Sequence, residues 1–163
     1  MSTLIILVLS FVLLFALNRY VLKNKFSLSK LGRVAMAIML MITGITHFIK
    51  TAEMVEMIPD LFPFKILLVY ATGVFEIAAA VGLLFERWSR ISSIALITFF
   101  VLILPANIVG SLKRVELGGM ENGPMYLFFR VPLQILFIWW TYYFGIYLVK
   151  PTAPKSSKIF SHN

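Results

Sequence analysis

The chain has 163 residues, 60% of them hydrophobic and 13% charged, with a mean hydropathy of +0.92. Too few polar side chains remain to clothe a soluble domain of this size, so one compact domain embedded in a membrane is expected. Cysteine is absent, which removes disulfides, thiolate metal ligands, cysteine-held clusters and cysteine nucleophiles.

The net charge of +8 does not point to nucleic acid, because the basic residues flank apolar segments and do not line one helix face among aromatics. Only two histidines are present, and His162 lies near the C-terminus. A bis-histidine haem or a metal centre held by this chain alone is therefore not expected, and no intrinsic cofactor is predicted.

Five apolar stretches approach the roughly 20 residues a helix needs to cross a bilayer: 3–22, 31–49, 66–85, 91–112 and 125–149. The first lacks Lys or Arg ahead of its apolar core and has no small-residue cleavage site, so it is expected to be a retained helix rather than a signal peptide. Between the second and third stretches, Glu53, Glu56 and Asp60 recur at near-helical spacing among apolar residues, which predicts a short interfacial helix. Pro59 and Pro63 end it and turn the chain into the third span. Gly118-Gly119 and Asn122-Gly123-Pro124 mark a turn before the last span, and residues 150–163 form a polar tail.

With five spans the loops alternate sides. Ten basic residues, from Arg19, Lys23 and Lys25 to Arg87, Arg90 and the tail lysines, collect on one side, against Lys50, Lys65, Lys113 and Arg114 on the other. The richer side is expected to be cytoplasmic, with the N-terminus outside and the C-terminus inside. Trp139, Trp140, Tyr142, Tyr143 and Tyr147 cluster toward the inner end of the last span, where they suit a headgroup belt or a stacking surface for a flat ligand.

Four side chains are out of place in hydrocarbon: His47, Glu76, Asn107 and Arg130, one on each of the last four spans. Segment midpoints put Glu76 near mid-depth and the other three roughly 8 to 10 Å nearer the outer face. A Glu76–Arg130 ion pair or water-linked pair would offset the cost of burying either charge, with Asn107 and His47 completing a network. Helical spacing puts Thr72, Gly73, Ala79 and Ala80 on the face of Glu76, and Thr43 and Gly44 on that of His47. Gln134 follows Arg130 by one turn and is placed to orient its guanidinium. Pro105 and Pro132 predict kinks beside Asn107 and Arg130. Such a network reads equally as glue between membrane helices or as a site for ligand or proton.

The stretches Gly44-Ile45-Thr46-His47-Phe48, Met57-Ile58-Pro59, Val69 to Glu76, Gly82-Leu83-Leu84 and Pro105-Ala106-Asn107 resemble, in order and spacing, the DoxX and DoxX-like family of small prokaryotic membrane proteins. The resemblance covers about residues 31–149. It implies an all-α membrane protein of the prokaryotic plasma (inner) membrane, with a four-helix transmembrane bundle over 31–149. The segment 1–30, an extra N-terminal helix and basic loop, brings the total to five spans. It further implies redox association, protein partners in a membrane redox complex and a quinone-like ligand, although the family's founding thiosulfate to quinone activity is not carried over.

Three functions follow as expectations. One is an accessory subunit of a membrane oxidoreductase, without its own metal or haem, in which Arg130 holds an oxygen or anionic group, His47 or Glu76 exchanges protons and Asn107 orients the ligand. Another is a lipid or small-molecule binding or transport protein. The last is a structural or assembly factor whose polar network fixes helix register.

Overall fold

A computed structural model describes residues 2–149, and the tail expected over 150–163 lies outside the described residues. All regular elements among the described residues are helical. α1 spans Ser2–Tyr20, α2 Leu28–Ile49, α3 Thr51–Met57, α4 Lys65–Leu84, α5 Glu86–Leu112 and α6 Met125–Tyr142. A 3-10 turn at Met120–Asn122 precedes α6, and a π-helical turn at Tyr143–Tyr147 continues it.

α1 is apolar on every face and buries only Leu7 and Asn18, so the rest of its surface is left to an apolar surrounding. Asn18 reverses the chain. Its amide donates to the Phe26 carbonyl and its carbonyl accepts from the Phe26 amide, both at 3.0 Å, while Lys23 and Asn24 take left-handed backbone angles. Ser27 then caps α2 by accepting from the Lys30 amide.

That cap sets the start of α2 at Leu28, three residues before the expected position, and brings Arg33 into the second turn. Arg33 is only 4% exposed and donates through Nη1 to the Leu83 carbonyl at 3.2 Å. It binds the last turn of α4, where unpaired carbonyls favour a cation.

α2 is the central helix. It packs most extensively against α4 and also meets α1, α6 and the π turn. Its buried face is built from small or slender residues, Gly32, Ala35, Met36, Met39 and Leu40 among them, which let neighbouring backbones approach. The predicted short helix is α3, which ends at Met57, two residues before Pro59. Only Phe85 separates α4 from α5, so α5 begins at Glu86 rather than near 91.

The expected continuous helix over 125–149 is interrupted. Its last turns widen to π geometry at Tyr143–Tyr147, where Gly145 faces Ser93 of α5 and the Phe144 ring fills the space beside Gly32. A Cβ on Gly32 would fall within that ring. Trp140 Nε1 donates to the Gly32 carbonyl at 3.1 Å and Ser29 donates to the Phe144 carbonyl at 2.7 Å, so the π turn is tied to α2 twice.

α1, α2, α4 and α5 are each long and apolar enough to cross a membrane. α6, which carries Arg130 and Gln134 and ends in polar aromatics, is not among them. Gly32→Ala is expected to destabilise the fold by about 1 to 3 kcal/mol through overpacking. In detergent melts, Gly32→Ala with Phe144→Leu should cost less than the sum of the single changes; additive losses would show that the two residues do not compete for the same space.

Candidate functional site

The site forms where α2 crosses α4. A Cβ on Gly44 would lie 3.1 Å from the Gly73 carbonyl oxygen, and a Cβ on Gly73 would lie 3.1 Å from the Gly44 carbonyl oxygen and 2.7 Å from His47 Cβ. Both positions are therefore held to glycine by space. The resulting close approach places His47, one turn after Gly44, against Glu76, one turn after Gly73.

Glu76 is 6% exposed and His47 7%. His47 Nε2 stands 3.5 Å from Glu76 Oε1, and Glu76 Oε2 accepts from the Thr43 hydroxyl at 2.6 Å. On the other side of the ring, Nδ1 lies 3.1 Å from the Val69 carbonyl and 3.1 Å from Thr72 Oγ1. A carbonyl oxygen can only accept, so Nδ1 carries hydrogen. Nε2 would then turn a lone pair toward a carboxylate lone pair unless a proton occupies the gap. At 3.5 Å, Nε2 and Oε1 are placed to share a proton, as imidazolium with carboxylate or as imidazole with carboxylic acid.

Thr43 suits both forms. Its hydroxyl is also 3.2 Å from the Leu40 carbonyl, so it can donate to an ionised Glu76, or accept from a protonated one and donate to Leu40. Thr72 is similarly anchored, 2.8 Å from the Val69 carbonyl. The two threonines, inferred from face alone, thus hold opposite ends of the dyad.

The expected Glu76–Arg130 ion pair does not form, since the ion-pair partner of Glu76 is His47. The physical reason is the glycine crossing, which brings α2 against α4 more closely than either approaches α6. Arg130 remains within electrostatic reach of Glu76 and lies beside Tyr126, one turn earlier on α6. Its Nε is enclosed and has no hydrogen-bond partner. Tyr126 was not singled out in sequence, although its spacing of four residues from Arg130 carried the signal.

Two further residues sit apart from the dyad. Asn107 is buried, but its amide donates to the Ile103 carbonyl of its own helix at 3.2 Å. Gln134 does not orient Arg130; its Nε2 donates to the Phe100 carbonyl at 2.6 Å, in the turn before Pro105, and its Oε1 has no partner. Prolines weaken the local helix ladder, and Gln134 supplies an interhelical bond at that place. Among the described residues, no group of three or more His, Asp or Glu is arranged to hold a metal ion.

The end of the bundle nearest His47 is closed by α3 and the 113–124 connection. Met57, Val115 and Met120 form a small second core there, and the Thr51 hydroxyl opening α3 donates to the His47 carbonyl at 2.8 Å. Gly110 leaves room for Met57 and Met120, either of which a Cβ would meet at 2.8 Å. Outside this core, Asp60 links the two connections through Lys65 at 2.5 Å and Lys113 at 3.5 Å.

Among the described residues, fold and site together define an all-helical arrangement with four helices long and apolar enough to cross a membrane and a buried acid–imidazole dyad at the central helix crossing. The chain belongs to the family described as Domain of unknown function (DUF8561), whose model matches residues 36–145. No curated protein and no solved structure matches it.

A double-mutant cycle with His47→Ala and Glu76→Gln is expected to give a coupling of about 0.5 to 3 kcal/mol in detergent melts, and the corresponding Glu76–Arg130 cycle a smaller one. The reverse order would reinstate the Glu76–Arg130 pair. At the closing end, the hydrogen bond from Lys65, followed by the charge of Lys113, holds the Asp60 carboxyl below its ordinary range. A depressed acid stabilises above its unfolded value and loses that contribution as pH falls through the folded one. Hydrogen exchange over 113–124 should therefore be faster in Asp60→Asn than in the parent at neutral pH, with the difference closing in acid; equal exchange at neutral pH would show that the link is idle.

Proposed function

We propose that this is a multi-pass protein of the prokaryotic plasma membrane, in which α6 with its π turn forms a fifth span. Together, 18 and 5 residues reach about 34 Å, enough for the hydrocarbon core. The excess of basic residues on one set of loops favours a C-terminus in the cytoplasm and the His47 end of the bundle outside. In this reading the polar site receives a quinone-like or small anionic ligand at Arg130 and exchanges one proton with it through His47 and Glu76. The protein then serves as an accessory subunit of a membrane redox assembly, the role implied by its resemblance to DoxX proteins, with electron carriers supplied by partners.

The observation that carries the reading is the buried His47–Glu76 dyad within electrostatic reach of an arginine whose Nε has no partner. Glue would satisfy its own donors, whereas a donor left open next to a proton store suits an incoming acceptor. The groove beside Tyr126 favours a second reading, a lipid or small-molecule binding protein that uses the same arginine.

The test is a titration of the protein in lipid nanodiscs with a short-chain quinone and with small carboxylates, with a pH indicator present. Binding should exchange protons with the medium. Glu76→Gln should remove the proton signal, and Arg130→Gln should weaken binding about tenfold or more. Binding without any proton signal, or no binding of either ligand class, would sink the proposal.

A further inference from the structure

A groove of about 580 Å³ opens between the start of α1 and the start of α6. Ser2, Gly118, Gly119, Met125, Tyr126 and Phe129 border it. α1 is fixed against the far half of α6, where Phe11 meets Trp140 edge-on at 5.0 Å and Phe144 at 5.4 Å. At the near end, Gly118 and Gly119 have φ of +66° and +106°, which favour glycine, and a Cβ on Gly119 would lie 3.1 Å from the Tyr126 ring. The connection thus passes over Tyr126 without a side chain to fill the space.

We infer that this groove binds a single-chain anionic amphiphile, one carboxylate on a hydrocarbon tail. The tail lies between α1 and α6 against Met125 and Phe129, and the carboxylate reaches the Tyr126 hydroxyl and Arg130. The assignment rests on the reading of Arg130 as the acceptor-binding group and names the ligand class.

Charge selects the head. Arg130 brings a guanidinium whose Nε is enclosed and has no hydrogen-bond partner. A carboxylate supplies both an acceptor and a charge of opposite sign, whereas a neutral head supplies at most the acceptor. Volume selects the tail. The groove falls within the range of about 300 to 1,000 Å³ that holds one compact ligand, which suits one chain rather than the two of a phospholipid. Position relates the two, because Tyr126 both borders the groove and neighbours Arg130.

The experiment titrates the full chain, in nanodiscs of zwitterionic lipid, with a fluorescent long-chain fatty acid and with the alcohol of the same chain. The fatty acid should bind about tenfold or more tightly than the alcohol, and Arg130→Gln should erase that preference. Met125→Trp, which fills the groove, should weaken both ligands by the same factor with an unchanged melt; it decides the matter alone if Arg130→Gln fails to fold. Equal affinity for acid and alcohol, binding indifferent to Met125→Trp, or competition by anionic phospholipid vesicles but not by fatty acid would each overturn the inference. Failure here with quinone-linked proton exchange intact removes only the groove assignment. Fatty-acid binding without proton exchange removes only the redox reading.

Discussion

Where α2 crosses α4 neither helix carries a side chain, and each glycine sits 3.1 Å, measured from a notional Cβ, from the other's carbonyl oxygen. In lipid there is no hydrophobic drive to bring helices together, so close backbone approach and the dispersion it permits must do so. That approach fixes the spacing between His47 and Glu76. A larger residue at either glycine would push α2 and α4 apart beside the dyad.

Burial makes the pair self-limiting. An isolated carboxylate in hydrocarbon is costly, and so is an isolated imidazolium, but one proton shared between Nε2 and Oε1 leaves no net charge to solvate. Thr43 and Thr72 extend the arrangement, since a hydroxyl can donate or accept as the proton moves. Arg130 has the Tyr126 hydroxyl beside it, but its Nε lacks a partner. It stands one helix away with an open donor, and this contrast separates the part of the cluster that is satisfied from the part prepared to receive something.

The two ends of the bundle are built differently. At the π turn, Phe144 and Trp140 lock α6 to α2 and α1 through ring packing and two interhelical hydrogen bonds. At the opposite end, α3, the 113–124 connection and the exposed Asp60 clasp close the bundle with a core of only three buried residues. Few buried contacts mean low local stability, so the end near the dyad is the one that opens at least cost.

Much of this was legible in the chain itself. Long apolar runs gave the helices because backbone groups in hydrocarbon must be satisfied within their own segment. Period and proline spacing gave α3, and the rarity of polar side chains in apolar runs singled out His47, Glu76, Asn107 and Arg130. Helical faces associated Thr43 with His47 and Thr72 with Glu76. Only the tertiary structure decided which of these groups meet. Depth along a span says nothing of rotation or of interhelical distance, so Arg130 was the expected partner for Glu76 and His47 only an outer member of the network. The glycine crossing chose His47, left Asn107 to its own helix and sent Gln134 to the Phe100 carbonyl. Side-chain identity fixes which groups need a partner in a membrane, while the separation of the helices fixes which partner each one gets.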